Sequence, residues 1–539
     1  MLNKEQQRAV DSKSRKILCL AGAGTGKTHT MIARISNLVD NVGISTARIL
    51  VLTFTNAAAA EMEARYRVNH KGSLAPKFAT FHSFCYSLII ERPEIRQKLG
   101  YTSVPSILSE EDRKSIDAQI RKTLNIKVGV KKLAGIGTLT REEQRQYELY
   151  WKTFKKEIIK RNLITFDIMC NDVCKLFEDD DTCIEPIKHR YSYIFVDEFQ
   201  DTDPIQWKFV SSFPENTNIF IVGDVKQAIY AFRGADSSII KSIAKDDLWE
   251  VVKLVHNYRS TKQICDYANT IGDHDPAYTL NLVSEKSGPD VMISHIEEVS
   301  QFDPECERSI LAYIDHVSCD CDKLAILVRT NAEVSLVSQI LKNHRIAFET
   351  KWTPTDSINI LRCCISEETK LSWLASLLPG EDYNTYIQMK LVDDNFNFDM
   401  FLEVFGDRWY IKKRVNQIDE VCEIASDSSL FPYMKVSKIL KYLDLPEVTI
   451  DFNKTDFEST IEYCISVADG MSSSPVTTKQ SDLNIYVGTI HSSKGLEYDA
   501  VLLLGAETSS FRLTNEENLN LYYVGCTRAK KHLKIVKGL

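Results

Sequence analysis

The chain has 539 residues, 44% of them hydrophobic and 26% charged, which excludes a peptide, a disordered chain and a small disulfide-stapled scaffold. Its length leaves room for roughly two to four domains. A formal charge of −8 excludes a uniformly basic nucleic-acid coat, yet binding depends on where charge sits and not on its sum. Between Arg113 and Arg161, 14 Lys or Arg stand against 5 Asp or Glu, and the final "RAKKHLKIVKGL" holds five Lys or Arg and no acid.

At the start of the chain, "MLNKEQQRAVDSK" lacks the apolar centre of a signal peptide. No apolar run approaches the ~20 residues that span a bilayer, so a cytoplasmic protein without a membrane partner is expected. Short strand-like runs follow: "KILCLAG" near residue 20, "ARILVLTFT" near 50, "YSYIFVDE" near 195 and "NIFIVGD" near 220. A second set comprises "KLAILVRT" near 325, "LNIYVGTI" near 487, "DAVLLLG" near 502 and "HLKIV" near 535. Continuous apolar runs separated by helical patterns predict buried parallel strands, and hence two parallel-sheet α/β domains. Each set is interrupted once by a mainly helical insertion. The predicted division is 1–83 with 165–250, a basic helical insertion at 84–164, a second sheet domain at 251–350 with 484–539, and an insertion at 351–483.

The 14 cysteines invite a metal or disulfide reading. Cys170, Cys174 and Cys183 lie close together, but no fourth ligand follows at zinc or iron–sulfur spacing. Cys170 and Cys174 stand one helical turn apart in "FDIMCNDVCKLF" and read as part of an apolar stripe, with thiols reduced.

Chemistry concentrates first in "AGAGTGKT", residues Ala21, Gly22, Ala23, Gly24, Thr25, Gly26, Lys27 and Thr28. The glycines let the backbone turn so that its amides face phosphate oxygens at the start of a helix. Lys27 supplies charge for the β and γ phosphates of ATP, and Thr28 an oxygen for Mg²⁺. In "YSYIFVDEFQD" a strand delivers two carboxylates to its carboxyl end, where open parallel sheets bind ligands. Asp197 can hold Mg²⁺, and Glu198 can orient and deprotonate the attacking water. An arginine from the second domain is needed to neutralise transition-state charge; Arg259 in "HNYRST" and Arg528 in "YVGCTRAKK" are the candidates.

With these motifs in place, the chain resembles the UvrD, Rep and PcrA type of superfamily one DNA helicases. The match runs from "LNKEQQRAV" to "LYYVGCTRAKKHLKIV" and includes "TFTNAAAAEM", "TFHS", "VDEFQDTDPIQ", "VGDVKQAIYAFRGA", "NYRS", "ILVRTNAE" and "TIHSSKGLEYD" in order. The resemblance implies two RecA-like motor domains. It places Gln6 and Arg34 at the adenine end of ATP, with Tyr258 stacked on the base. Gln227 falls at the γ-phosphate and attacking water, Glu497 at the ribose, and Arg259 and Arg528 become paired arginine fingers. Phe54, Tyr230 and Phe232 resemble the aromatics on which single-stranded bases stack, while His82, Arg233 and His491 line the strand path or couple it to the nucleotide. The implied partners are single-stranded DNA and single-strand/duplex junctions, and the implied work is 3′ to 5′ translocation with unwinding in repair, recombination or replication.

Two departures shape the expectation. Ala57 stands where these helicases commonly have Lys, and the insertion at 351–483 is short for the family's accessory domain. A monomer, a DNA-induced dimer or activation by an accessory protein follows. Two rival readings stand beside this one: the motor subunit of an antiviral or recombination complex with a separate nuclease, and an ATP-gated DNA-binding switch that does not translocate.

Overall fold

The computed structural model describes residues 2–538 except 127–139, 180, 273–274, 298, 300–303, 351–354, 377, 379–381, 383–384, 387–388, 390–396, 444–455 and 471–482. The strands are β1 (Lys16–Ala21), β2 (Ile49–Thr53), β3 (Lys77–Thr80), β4 (Ser106–Ile107), β5 (Leu163–Ile164), β6 (Tyr193–Val196), β7 (Asn218–Gly223), β8 (Glu250–Leu254), β9 (Met292–Ile296), β10 (Lys323–Val328), β11 (Glu349–Thr350), β12 (Asn484–Thr489), β13 (Tyr498–Ala506) and β14 (Ala529–Gly538). The chain clusters into two compact units. One comprises Met1–Ile107, Asn162–Leu336 and Ser481–Leu539; the other comprises Leu108–Arg161 and Val337–Gln480.

The first unit contains both large sheets, and its α/β class is the predicted one. β3-β2-β6-β7-β1-β8 form a six-stranded sheet whose pairings are parallel. β12-β10-β13-β14-β9 run side by side, again parallel. Strands such as "ILVLT" are buried along their whole length because helices cover both faces of a parallel sheet. Ile17, Cys19, Met31, Ile35, Val51 and Phe220 make one core; Leu327, Val501, Leu503, Leu521 and Ile535 belong to another. Alignment of all strands brings the segments after β1, β6 and β7 to one edge of the first sheet, so the phosphate-loop residues and the acidic pair share that edge.

Residues 84–107 cluster with this unit, and the segment that separates from it is Leu108–Arg161. Phe84 explains the difference, since it is buried against the rings of Tyr191 and Phe209. The helix Phe166–Glu178 buries Cys170 and Cys174 along its apolar stripe.

In the second unit, helices Glu110–Leu124 and Arg141–Lys160 pack together, with Asp117 accepting hydrogen bonds from Arg121 (2.8 Å) and Tyr150 (2.5 Å). Lys127, Lys131 and Lys132 of the basic stretch lie outside the described residues. Helices Thr355–Ile365, Trp409–Ser426, Pro432–Tyr442 and Phe457–Gly470 enclose a core that includes Leu361, Ile418, Val436 and Ile461. Among the described residues, no helix is long and apolar enough to cross a membrane.

Candidate active site

β1 ends at Ala21, and the helix Lys27–Asp40 begins six residues later. Gly24 (φ +70°) and Gly26 (φ +83°) occupy the left-handed region, which glycine adopts without a Cβ clash. The turn is braced from both sides. Gln6 donates to the Thr25 carbonyl (3.0 Å), while Asn257 Nδ2 donates to the Ala23 carbonyl (2.7 Å) and the Tyr258 N–H to that of Gly24 (2.9 Å). A Cβ added at Gly24 would lie 2.7 Å from the Arg259 Cβ. Gly24→Ala is therefore expected to cost about 1 kcal/mol or more through the left-handed φ alone. It should also weaken nucleotide binding by pushing the Asn257–Arg259 segment away; a thermal melt and titration of an ATP analogue check both.

Asp197 and Glu198 follow β6, and Glu198 itself is left-handed at φ +48°. A non-glycine residue held there carries strain of the kind that gathers at functional sites, and here it turns the carboxylate off the strand axis. Glu198 Oε2 meets Lys27 Nζ at 3.3 Å and accepts from Gln200 Nε2 at 2.6 Å. Burial would raise the Glu198 pKa, but Lys27 and Lys494 hold it down at about 2. On Lys27, burial disfavours the charge, yet the carboxylates of Glu198, Asp224 and Asp197 outweigh it and raise the pKa. Burial, aided by the Glu198 charge, pushes Asp197 up to about 7. The Asp197 Oδ1 is buried without a hydrogen-bond partner among the described residues. An orphaned carboxylate oxygen at the edge that also carries Thr28 fits a Mg²⁺ ligand set.

The second sheet completes the cluster. Arg259 donates from Nε to Glu497 (2.9 Å) and from Nη1 to the Thr527 carbonyl (3.3 Å), and Glu497 also pairs with Lys530 at 2.8 Å. Arg528 is buried and donates to the carbonyls of Val524 (3.1 Å) and Leu496 (3.2 Å). Burial first, then the neighbouring Arg259 charge, lowers its pKa to about 9. Gln227 is buried, with its amide on Asp224 at 2.6 Å. Lys494 ties these parts together: its ammonium reaches Asp201 (2.5 Å) and the Gln227 carbonyl (3.0 Å), and sits 4.6 Å from the centre of the Tyr230 ring.

On the far side of the loop, Gln6 and Asn3 form a reciprocal cap, and Asn3 Nδ2 donates to the Tyr258 hydroxyl at 2.9 Å. Gln6 and the half-exposed Tyr258 ring are thus neighbours beside the phosphate loop. Arg34 is used differently. Its buried Nη1 donates to the carbonyls of Ala9, Val10 and Ser12, and its guanidinium lies 5.1 Å from the Phe220 ring centre. It fastens the end of the first helix, which also carries Gln6.

A row of rings starts after β2. Phe54 stacks on Tyr230 (5.3 Å, 9°), Tyr230 meets Phe232 edge-on at 6.0 Å, and Phe232 meets His491 edge-on at 5.7 Å. Phe232 is 63% exposed, unusual for a phenylalanine with only a packing role. His82 contacts Phe166 and the Cys170 thiol instead, and that hydrogen bond raises its pKa. Arg233 falls in the turn Ala231–Arg233, and its side chain lies outside the described residues.

Residues 2–133 and 106–247 match the model of the UvrD/REP helicase N-terminal domain, and residues 394–538 that of the UvrD-like helicase C-terminal domain. The chain belongs to the UvrD/REP helicase family. It is 27% identical to the ATP-dependent DNA helicase PcrA of Bacillus subtilis over all of this chain and 82% of that protein. It is 26% identical to the probable DNA helicase II homolog of Mycoplasma capricolum over all of this chain and 84% of that protein. For the PcrA of Staphylococcus epidermidis the identity is 25%, covering all of this chain and 83% of the relative.

Within this UvrD/REP-family site, three residues escaped the sequence reading. Lys494 sat unassigned in "SSKGLEYD", Gln200 in "DEFQD" and Asn257 in "HNYRS". The signal for each was a polar side chain inside a motif, next to a residue already given a role.

Proposed function

We propose that this ATP-dependent DNA helicase is a motor that moves 3′ to 5′ on single-stranded DNA, its two sheet domains closing on Mg²⁺-ATP and reopening after hydrolysis. The observation that carries the reading is the continuity from phosphate loop to ring row. Lys27 pairs with Glu198, and Lys494 bridges Asp201, Gln227 and Tyr230, so the nucleotide pocket and the aromatics share one chain of contacts. In the proposed cycle Lys27 leaves Glu198 for the phosphates, Glu198 accepts a proton from the attacking water, and Gln227 orients that water. Arg259 and Arg528 neutralise charge that builds on the γ-phosphoryl group. When bound by Thr28 and Asp197, Mg²⁺ supplies charge to the phosphate oxygens.

Phe54, Tyr230 and Phe232 take the bases of the strand, a sequence-tolerant contact. Replacing Phe54 or Tyr230 by Ala is expected to weaken single-strand binding by about 1–3 kcal/mol for each stacked base lost. Fluorescence anisotropy of labelled oligonucleotides of mixed sequence measures it. The helical segments at 84–164 and 351–483 are accessory, and the motor works as a monomer or a DNA-induced dimer. Duplexes with a single 3′ or 5′ tail test polarity: displacement from the 3′-tailed substrate supports the reading, and displacement from only the 5′-tailed one overturns it.

A further inference from the structure

We propose that Asp320, Cys321 and His532, none of them a nucleotide-site residue, form a binding site for a zinc-class divalent cation. Their ligand atoms all lie within 4.8 Å of one another. His532 Nε2 is 2.8 Å from Asp320 Oδ2, and Cys321 Sγ is 3.6 Å from Asp320 Oδ1. A tetrahedral zinc ion with bonds near 2.0 Å to N and O and 2.3 Å to S needs ligand spacings of about 3.3–3.5 Å. The two Asp320 spacings are to different oxygens, 2.8 Å from Oδ2 and 3.6 Å from Oδ1, so a shared ion requires the carboxylate to turn one oxygen toward both partners.

Both the donor set and its mounting favour such a site. Imidazole, thiolate and carboxylate are the three zinc-binding side-chain types, and a Cys–His pair selects against Ca²⁺ and Mg²⁺. Cys321 is buried and Asp320 exposed, so the fourth position opens to water on the Asp320 side. Cys321 precedes β10, whereas His532 lies in the first half of β14, so the cation would staple two strands separated by β13. Both elements sit toward the amino ends of their strands, the end at which Glu497 and Arg528 also precede β13 and β14. His532 follows Arg528 by four residues, which makes the staple a support for the strand that leaves the finger. The His316 ring packs edge-on against His532 at 5.9 Å. The surrounding charge is mixed. Lys531 donates to the Asp320 carbonyl (3.0 Å) and opposes a cation, while Asp499, which accepts from the N–H groups of Asp322 and Lys323 (3.2 Å each), favours one.

The test uses the full chain stripped with a chelator and titrated with Co²⁺, then with Zn²⁺ in competition with a chromophoric chelator. Expected are a tetrahedral Co²⁺ spectrum with a thiolate charge-transfer band, and a Zn²⁺-dependent rise in melting temperature. Both should disappear in Cys321→Ser. Because Ser at a buried position can itself unsettle the fold, Asp320→Asn serves as the second variant. It keeps the hydrogen-bonding shape at an exposed position, and is expected to melt like the parent without metal while binding Zn²⁺ on the order of 10- to 100-fold more weakly. A spectrum without a thiolate band, or Zn²⁺ affinity unchanged in both variants, overturns the proposal and leaves Asp320–His532 as an ordinary ion pair.

Discussion

Glu198→Gln is expected to lower kcat for ATP hydrolysis by about 10²- to 10⁴-fold, the range for loss of a general base, while nucleotide binding persists. The argument starts from shape. Glutamine fills the same volume after the same left-handed turn, and its amide oxygen can still accept from Gln200, so the strand-end geometry survives. What disappears is the negative charge and the basicity. Lys27 loses its ion-pair partner and is free for phosphate, so affinity for ATP should hold or rise. Single-turnover hydrolysis together with binding of a fluorescent ATP analogue separates the two. A parallel loss of binding and turnover would mean that Glu198 supports the pocket and does not take part in the reaction.

Arg259→Ala is expected to have an effect as large or larger, about 10³- to 10⁵-fold in kcat, the range for an arginine finger. Arg259 is the better probe of the two arginines. Its Nε and Nη1 are tied to Glu497 and the Thr527 carbonyl, and among the described residues Nη2 makes no hydrogen bond and is available to a phosphoryl oxygen. Arg528 is buried among backbone carbonyls, so removing it leaves orphaned acceptors and disturbs the fold as well as the chemistry. Arg259→Lys keeps charge but not the planar fork, and should recover only part of the rate. Rates near the parent's in Arg259→Ala, with a normal melting curve, would remove the finger assignment.

The parts legible in the sequence were those with strong local chemistry. β1, β2, β6 and β7 read as continuous apolar runs because parallel central strands are covered on both faces. β3 and β9 did not, because each lies at a sheet edge where the run breaks: Lys77 is exposed in β3, and Met292 and Ile293 are about half exposed in β9. β8, "EVVKL", at the other edge of the first sheet, has its apolar run interrupted by Glu250 and Lys253. The basic end of the chain stands in the sequence only as a run of charge; in the structure it is β14, its lysines bound to Glu497, Glu507 and the Asp320 and Ser309 carbonyls. Charge counts along a sequence do not record partners brought in by the sheet.

Long-range contacts were the other blind spot. Nothing local in "SSKGLEYD" says that Lys494 meets Asp201, 293 positions earlier, or that Asn257 reaches back to the loop at Ala23. The same holds for His532 and Asp320, whose pairing spans 212 positions, so cysteine spacing alone passed over Cys321.

Steady-state ATP hydrolysis with and without single-stranded DNA, at low salt and with Glu198→Gln as the control for contaminating activity, tests the coupling between pocket and strand most directly. Strong stimulation by DNA that vanishes in the variant is the outcome expected of a motor in which Lys494 joins Asp201 and Gln227 of the nucleotide pocket to Tyr230 of the ring row. An ATPase rate unchanged by DNA while DNA is bound would contradict it.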